Sequence, residues 1–319
     1  MTEPMIFAYF MGISNHMWDD ENTPPRGWYL DKRYTENNNI DIPTWDTMIP
    51  FLAERRYNML LVDVGDGIRY ESHPEISAPD AWDKDLLREK LRAARAAGLE
   101  PIPKLNFSCC HHTWLKHYRR MVSTPEYYRV VADLIREVSE VFDNPRYFHI
   151  GMDEENEPNQ RFREQVHIRH EELWWHDLYF YLGEVEKYGC TPWVWSDYCW
   201  DFPTSFLTKM PKSVLQSNWF YEAFKTYPEA SRQGRAIQTY RQLAEHGFRQ
   251  VPCCSCWDQA GAANVQQTLA FCRDQIDPAS IAGYMVAAWA RITPDREYQL
   301  KNDAHTLYAM RKRYYPETL

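Results

Sequence analysis

Short apolar runs rich in β-forming residues recur along the chain, separated by longer segments with helical periodicity. The apolar runs predict eight strands, at residues 6–12, 59–64, 101–106, 147–152, 193–196, 214–217, 251–256 and 283–289. The periodic segments predict helices at residues 84–97, 125–142, 164–188, 236–246 and 302–315. This alternation is typical of repeated βα units around a parallel sheet. We therefore predict an α/β fold, a (β/α)8 TIM barrel that forms a single domain over residues 1–319.

Glycines punctuate this pattern in the places that a barrel requires. Gly98, Gly189 and Gly247 each follow a predicted helix and precede an apolar run by a few residues. The fifth unit is the weakest, because residues 197–211 leave room for only a short helix. A doubly wound open sheet is the alternative, but no Gly-x-Gly-x-x-Gly follows the first apolar run. The pattern favours the barrel.

Composition narrows the classes of function. The net charge of -9 and the isoelectric point near 5.7 argue against nucleic acid as a partner. No apolar run approaches the roughly 18 residues of a membrane span, so no membrane partner is expected. The first residues lack a basic segment followed by an apolar one, which favours a cytoplasmic protein over a secreted one. The chain contains 13 tryptophans, whose flat apolar faces suit either a core or the C–H faces of sugars.

The fourth apolar run is followed by a group of acidic residues. After Gly151 and Met152 come three consecutive carboxylates, Asp153, Glu154 and Glu155. In barrels of this type the catalytic groups lie at the C-terminal ends of the strands. Paired acids at such an end are a source of general acid catalysis, because crowded and partly buried carboxyl groups keep their protons to higher pH.

The ends of the other apolar runs carry polar side chains and tryptophans that would converge on the same face. This combination is typical of a pocket for a carbohydrate substrate. With Asp153 and Glu154 as the catalytic pair, we predict that the following residues bind the substrate: Asp63, Asn106, His111, His149, Trp195, Asp197, Trp219, Trp257, Asp258 and Trp289.

The sequence His149-Ile150-Gly151-Met152-Asp153-Glu154, together with Trp195, Trp219 and Trp289, resembles glycoside hydrolase family 20, the β-N-acetylhexosaminidases. The resemblance implies that Glu154 is the general acid. It also implies that Asp153 orients the 2-acetamido group of the substrate, which attacks the anomeric carbon in place of an enzyme nucleophile. Cleavage of a terminal sugar would then proceed with retention of configuration.

The chain departs from the family pattern in several places. Met152 stands where the family usually has a second glycine, and no arginine of the sugar-gripping kind is evident on the first strand. Arg291 follows Trp289 and Ala290, where the family has a sugar-binding glutamate. Trp257 and Asp258 replace an aspartate–tyrosine pair. These differences affect residues that would bind the substrate more than they affect the general acid. The sequence therefore supports a glycosidase better than it supports a specificity for N-acetylhexosamine.

Three alternatives that involve no metal remain open. A retaining glycosidase would use a carboxylate nucleophile about 5 Å from the acid, and Asp258 or Asp197 could serve. A non-catalytic sugar-binding barrel would keep the tryptophans but not the acid. In a purely structural role, Asp153 and Glu154 would cap the following segment or pair with Arg161 and Arg163.

A metal-dependent hydrolase would use the cysteines and histidines. The segment Cys109-Cys110-His111-His112 and the group Cys253, Cys254 and Cys256 lack the Cys-x-x-Cys and His-Glu-x-x-His spacings of zinc sites. The sequence therefore predicts no metal and no other cofactor. The cysteines are better explained as reduced, buried residues.

Overall fold

A computed structural model of the chain describes residues 3–14, 19–23, 34–257 and 260–319. Within these ranges lie eight strands, one in each predicted apolar run: β1 (Ile6–Gly12), β2 (Met59–Asp63), β3 (Glu100–Lys104), β4 (Tyr147–His149), β5 (Thr191–Trp195), β6 (Leu215–Ser217), β7 (Cys253–Cys254) and β8 (Gly283–Ala287). All the pairings are parallel, in the order β6-β5-β4-β3-β2-β1-β8-β7.

The two outer strands of that order meet and nearly close the sheet into a barrel. Parallel bridges join Gln216 to Gln250 and Trp219 to Cys253. The backbone N–H of Val251 donates to the carbonyl of Gln216 at 2.8 Å, and that of Cys253 donates to the carbonyl of Asn218 at 2.9 Å. The predicted (β/α)8 barrel is confirmed.

Helices separate the strands and cover the outside of the barrel. In the described ranges they are α1 (Ile42–Glu54), α2 (Lys84–Ala96), α3 (Pro125–Val141), α4 (Glu157–Gln160), α5 (Glu171–Glu186), α6 (Tyr198–Asp201), α7 (Pro203–Lys209), α8 (Arg232–Glu245), α9 (Ala262–Gln275) and α10 (Glu297–Tyr314). The fifth unit contains only the short helices α6 and α7, as predicted. The sequence patterns missed α1, which carries Pro50 inside the helix, and α9, which has Gly261 at its N-cap.

The predicted helix at 164–188 is wrong in its first turns, because α5 begins only at Glu171. The preceding segment is held as a loop by side chains that bond to its backbone. The side-chain amide of Gln160 donates to the carbonyl of His167 at 2.8 Å and accepts from its N–H at 2.9 Å. The guanidinium of Arg169 is buried against Glu155 and Asp177. These tertiary contacts override the local helical periodicity.

Two prolines in β3 shape the junction between β3 and β4. The N–H of Glu100 donates to the carbonyl of Asn58, just before β2. Because successive N–H groups of a strand point to opposite sides, the backbone N–H positions of residues 101, 103 and 105 face β4. Pro101 and Pro103 have no N–H to donate, and the β3–β4 register consists of Lys104 opposite His149. Pairing is thus concentrated where both strands end, next to the three carboxylates.

Within the described ranges, none of the helices combines the length and the apolar character needed to cross a membrane.

Candidate active site

Asn106 and Gly151 bring the ends of β3 and β4 into contact. A Cβ at Gly151, where φ is +73°, would lie 1.9 Å from Oδ1 of Asn106, so a side chain there would displace the amide. That Oδ1 accepts from the N–H groups of Ser108 at 3.0 Å and Met152 at 3.3 Å. The Nδ2 of Asn106 donates to Oδ1 of Asp153 at 2.8 Å. Glycine at 151 therefore lets Asn106 orient the first acid.

His111, on the loop after β3, bridges the two predicted catalytic acids. Its Nε2 lies 3.2 Å from Oδ2 of Asp153 and 3.2 Å from Oε2 of Glu154. The side chain of Glu154 is 22% exposed, against 11% for His111 and 12% for Asp153. The arrangement leaves Glu154 as the member of the group with the most access to a bound molecule.

The charges within this group reinforce one another. Burial alone would raise the pKa of Asp153, but the charge and hydrogen bond of His111 outweigh it and lower that pKa to about 2. Burial alone would lower the pKa of His111, but the charge of Asp153 and the bonds to both acids raise it to about 9. Near neutral pH an imidazolium therefore faces a carboxylate at Asp153.

Asp197, at the end of β5, lies behind the backbone of the acid pair. Its Oδ2 accepts from the N–H of Glu154 at 2.7 Å, and its Oδ1 accepts from Nε1 of Trp219 at 3.2 Å. Burial and the negative charge of Asp153 raise the pKa of Asp197 to about 8, although the two N–H donors act in the opposite direction. Asp197 is thus an integral part of the site, connected to Glu154 through the main chain.

Aromatic rings surround this polar group. Trp195 and Trp289 have ring centroids 6.1 Å apart, and Trp219 stacks on Tyr221 at 5.2 Å. Tyr221 also meets Trp289 edge to face at 6.2 Å. The charge of Asp153 acts on the buried phenol of Tyr221 and contributes to its raised pKa, behind the larger effects of burial and Cys253. Three predicted tryptophans therefore converge around Tyr221, which lies close enough to Asp153 to feel its charge.

Tyr221 was missed by the sequence patterns. It lies beyond the end of β6, two positions after Trp219, so an alternating aromatic pair was the available signal. Its hydroxyl contacts Sγ of Cys253 at 3.5 Å, a weak hydrogen-bond partner.

Glu155, the third carboxylate of the run, belongs to a buried network of ion pairs. Nε of Arg169 donates to Oε1 of Glu155 at 2.6 Å, and Nη1 of Arg169 donates to Oδ2 of Asp177 at 2.9 Å. The side chains of this ion pair network are 2% exposed at Arg169, 1% at Glu155 and 0% at Asp177. Nη2 of Arg169 also donates to the carbonyl of Phe107 at 2.9 Å. The network ties the loops after β3 and β4 to α5.

The arginines of the structural alternative have other contacts. Arg163 donates to the backbone carbonyls of Cys109 and Cys110 instead of to either acid. Arg161 lies over the ring of Phe162. The side chain that pairs with both acids is His111.

The remaining predicted residues differ in their relation to the acid pair. His149 is fully buried, and its Nδ1 accepts from the N–H of Gly151 at 3.0 Å. Asp63 accepts from Nζ of Lys104 at 2.6 Å, and the charge of Lys104 helps to lower the pKa of Asp153. Trp257 is partly buried near the end of β7, and Asp258 lies outside the described residues. Direct substrate contacts by these residues stay predictions.

The cysteines have the properties of packed thiols. All eight cysteines of the chain fall in the described ranges and carry free thiols. Burial raises the pKa of Cys110, Cys253 and Cys256, which keeps these thiols protonated. In the described ranges, the atoms spaced to accept a metal ion belong to His111, Asp153 and Glu154, within 4.8 Å of one another. The contacts of His111 already join these three side chains.

Comparison with known proteins shows likeness in structure. No protein-family model and no curated protein sequence matches the chain. A family 20 exo-β-N-acetylglucosaminidase from Vibrio harveyi, solved in complex with N-acetylglucosamine, matches 99% of the chain with a TM-score of 0.60 and 13% identity. A family 20 β-N-acetylhexosaminidase from Streptomyces coelicolor matches 94% with a TM-score of 0.61 and 14% identity.

A third structure, the Streptomyces plicatus N-acetyl-β-hexosaminidase in complex with thio-NAglucal, matches 98% of the chain with a TM-score of 0.61 and 15% identity. The chain spans 58%, 63% and 68% of the lengths of the three matched chains. The eight-stranded barrel that carries Asp153 and Glu154 at the end of β4 is therefore similar in fold to the barrels of family 20 β-N-acetylhexosaminidases.

Proposed function

We propose that this protein is a glycoside hydrolase that removes a terminal N-acetylhexosamine with retention of configuration. The observation that carries the proposal is the bridge from His111 to Asp153 and Glu154, next to Asp197 and the Trp219 indole that holds it. The structural neighbours support it, because their names describe enzymes that act on N-acetylhexosamine.

Glu154 is the proposed general acid. It is the most exposed member of the bridged group, so its carboxyl proton can reach the oxygen of a scissile glycosidic bond. The imidazolium of His111 stabilises the carboxylate that Glu154 becomes after it gives up this proton. The same carboxylate can then accept a proton from the water that completes hydrolysis.

Asp153 and Tyr221 are the proposed partners of the acetamido group. An amide offers one N–H and one carbonyl, so it needs an acceptor and a donor. The Asp153 carboxylate is ionised and fixed by Asn106 and His111, which makes it a positioned acceptor. The Tyr221 hydroxyl accepts from the Trp289 indole and lies beside the weakly accepting Cys253 thiol, so its own proton can be donated to a carbonyl.

The bond changes in the proposed reaction balance without a cofactor. The acetamido oxygen attacks the anomeric carbon as the glycosidic bond breaks, and the leaving oxygen takes the proton from Glu154. The cyclic cation that forms carries its charge on the amide, next to the Asp153 carboxylate. Water then opens the ring at the anomeric carbon, which is inverted twice and so retains its configuration.

A panel of nitrophenyl glycosides tests the proposal. We expect release of nitrophenol from the β-N-acetylglucosaminide or β-N-acetylgalactosaminide, and little from the corresponding glucoside and galactoside. Purified protein with and without a chelator should behave alike. Turnover that depends on added metal, or no turnover of any glycoside while free sugars still bind, would contradict the proposal in favour of a metal-dependent hydrolase or a sugar-binding barrel.

A further inference from the structure

The main chain of the proposed acid has an unusual conformation at Glu154. Its φ is +58°, in the left-handed region that residues with side chains rarely adopt. Gly151 and Met152 just before it also have positive φ values, +73° and +78°. Such backbone persists only where surrounding contacts hold it. The direction in which the Glu154 side chain leaves the chain depends on this torsion.

The peptide N–H of Glu154 is held by a side chain from a neighbouring strand. It donates to Oδ2 of Asp197 at 2.7 Å, and Asp197 is 8% exposed. The other oxygen, Oδ1, accepts from Nε1 of Trp219 at 3.2 Å. The Asp197 carboxyl group is thus fixed between a main-chain donor and an indole donor. On the far side, the carbonyl of Glu154 accepts from the N–H of Asn156 at 2.7 Å.

These contacts distinguish between two roles for Asp197, that of a nucleophile and that of a residue that positions the acid. As a nucleophile, Asp197 would direct an unengaged oxygen at the anomeric carbon. Each of its oxygens instead receives an N–H, one of them from the acid's own peptide group. Loss of that acceptor would leave the Glu154 N–H without its buried partner and would release the left-handed torsion. The side chain of Glu154 would then turn away from His111.

We propose that Asp197 is a positioning residue for the general acid: it fixes the left-handed backbone of Glu154, and so the aim of its carboxyl group, and Trp219 fixes Asp197 in turn. The inference rests on the proposed function for its kinetic consequences, but the backbone geometry can be tested without any turnover. Asp197 acts through Glu154 and forms no bond with the substrate.

Two variants and one control test the positioning role kinetically. Asp197→Ala removes the acceptor, and Trp219→Phe keeps an aromatic ring but removes the indole N–H that holds Asp197. Trp175→Phe is the control, because the Trp175 indole donates to Ser205 at 2.8 Å and not to Asp197. Each is assayed on an alkyl and on a dinitrophenyl N-acetylhexosaminide, which differ in their need for a proton.

For Asp197→Ala we expect kcat on the alkyl substrate to fall by about 10²-fold or more, the usual worth of general acid catalysis. The loss on the dinitrophenyl substrate should be less than about 10-fold, since a good leaving group needs little protonation. KM should change little. Trp219→Phe should show the same selectivity with a smaller loss, and Trp175→Phe should match the wild type. Equal losses on both substrates, or a glycosyl azide of inverted (α) configuration when azide is added to Asp197→Ala, would overturn the positioning role.

Crystal structures of the wild type and of Asp197→Ala provide the readout that does not depend on activity. We expect Glu154 to leave the left-handed region in the variant and its Oε2 to move out of reach of His111. If the Glu154 torsion and the His111 contact are the same in both crystals, Asp197 does not position the acid. An inactive wild type would refute the proposed function, and the comparison of torsions would still decide the positioning role.

Discussion

Nε2 of His111 lies 3.2 Å from Oε2 of Glu154, and the same nitrogen is equally close to Oδ2 of Asp153. One imidazole thus holds two adjacent acids that would otherwise repel each other. Because the charge of Asp153 and the bonds to both acids raise the pKa of His111 to about 9, the ring carries its proton at neutral pH. The bridge therefore places a positive charge between the two acids.

The first prediction concerns the pH dependence of stability. The folded pKa of His111, about 9, lies above the ordinary value of 6.5, so its stabilising contribution is fully present below pH 6.5 and is lost as the pH rises through 9. The gap in unfolding free energy between wild type and His111→Gln should shrink by up to about 1.4 kcal/mol per pH unit across this window. Urea unfolding of both proteins at several pH values measures it. The buried thiols titrate alike in both and cancel, and a constant gap would contradict the bridge.

The second prediction concerns Glu154. Glu154→Gln keeps the shape of the side chain but removes the transferable proton, so kcat on an alkyl N-acetylhexosaminide should fall by about 10²–10⁴-fold. A dinitrophenyl substrate should lose much less. Steady-state kinetics on both substrates provide the measurement. Near-normal turnover of the alkyl substrate by the variant would exclude Glu154 as the acid.

The sequence was sufficient for the barrel because the strand positions depend on local apolar runs, and it placed Asp153 and Glu154 because they directly follow one of them. Other features depend on contacts between distant segments. The helix boundary at Glu171 follows from the burial of Arg169, and the role of Glu155 follows from the same ion pair. No local pattern reports such partners.

The aromatic residues of the site were likewise predicted only in part. Tryptophan stands out in composition, so Trp195, Trp219 and Trp289 were predicted from their positions at strand ends. Tyr221 lies beyond its strand, and its place beside Trp219 and Trp289 depends on how the loop after β6 folds back. The hydrogen bond from the N–H of Glu154 to Asp197 likewise depends on the left-handed conformation of Glu154. The sequence does not predict that conformation, because it is rare for residues other than glycine.

The third prediction concerns the buried ion network. Arg169→Met leaves Glu155 and Asp177 buried without their cation, so the variant should lose about 3–5 kcal/mol of unfolding free energy. Arg120→Met is the matched control: its pair with Glu164 is 44% and 45% exposed, and its loss should stay below about 1 kcal/mol. Denaturant unfolding of both variants tests this. Equal, small losses would mean that the network contributes little to stability.

The fourth prediction concerns Tyr221. Tyr221→Phe removes the hydroxyl but keeps the stacking on Trp219. We expect kcat/KM for an N-acetylhexosaminide to fall by about 10-fold or more, the equivalent of one hydrogen bond of roughly 1.5 kcal/mol. The ring packing on Trp219 and Trp289 remains, so the variant should stay folded, which circular dichroism checks, while the Trp289 indole and the Cys253 thiol lose the hydroxyl. An unchanged kcat/KM would remove Tyr221 from the substrate site.

The fifth prediction tests the central claim, that the acetamido group of the substrate attacks the anomeric carbon under the control of Asp153. Stepwise fluorination of the N-acetyl methyl group makes the amide oxygen a poorer nucleophile while the leaving group stays the same. Asp153→Asn, which removes the charge that stabilises the cyclic cation, serves as the companion variant.

The measurement is kcat/KM of the wild type along the series from N-acetyl to N-trifluoroacetyl nitrophenyl hexosaminides. We predict a steep, progressive fall with each fluorine, and a low rate with a weaker dependence in Asp153→Asn. A rate that is the same across the series, or a carboxylate of the protein labelled covalently by a fluoro-sugar, would contradict this account and identify an enzyme nucleophile instead.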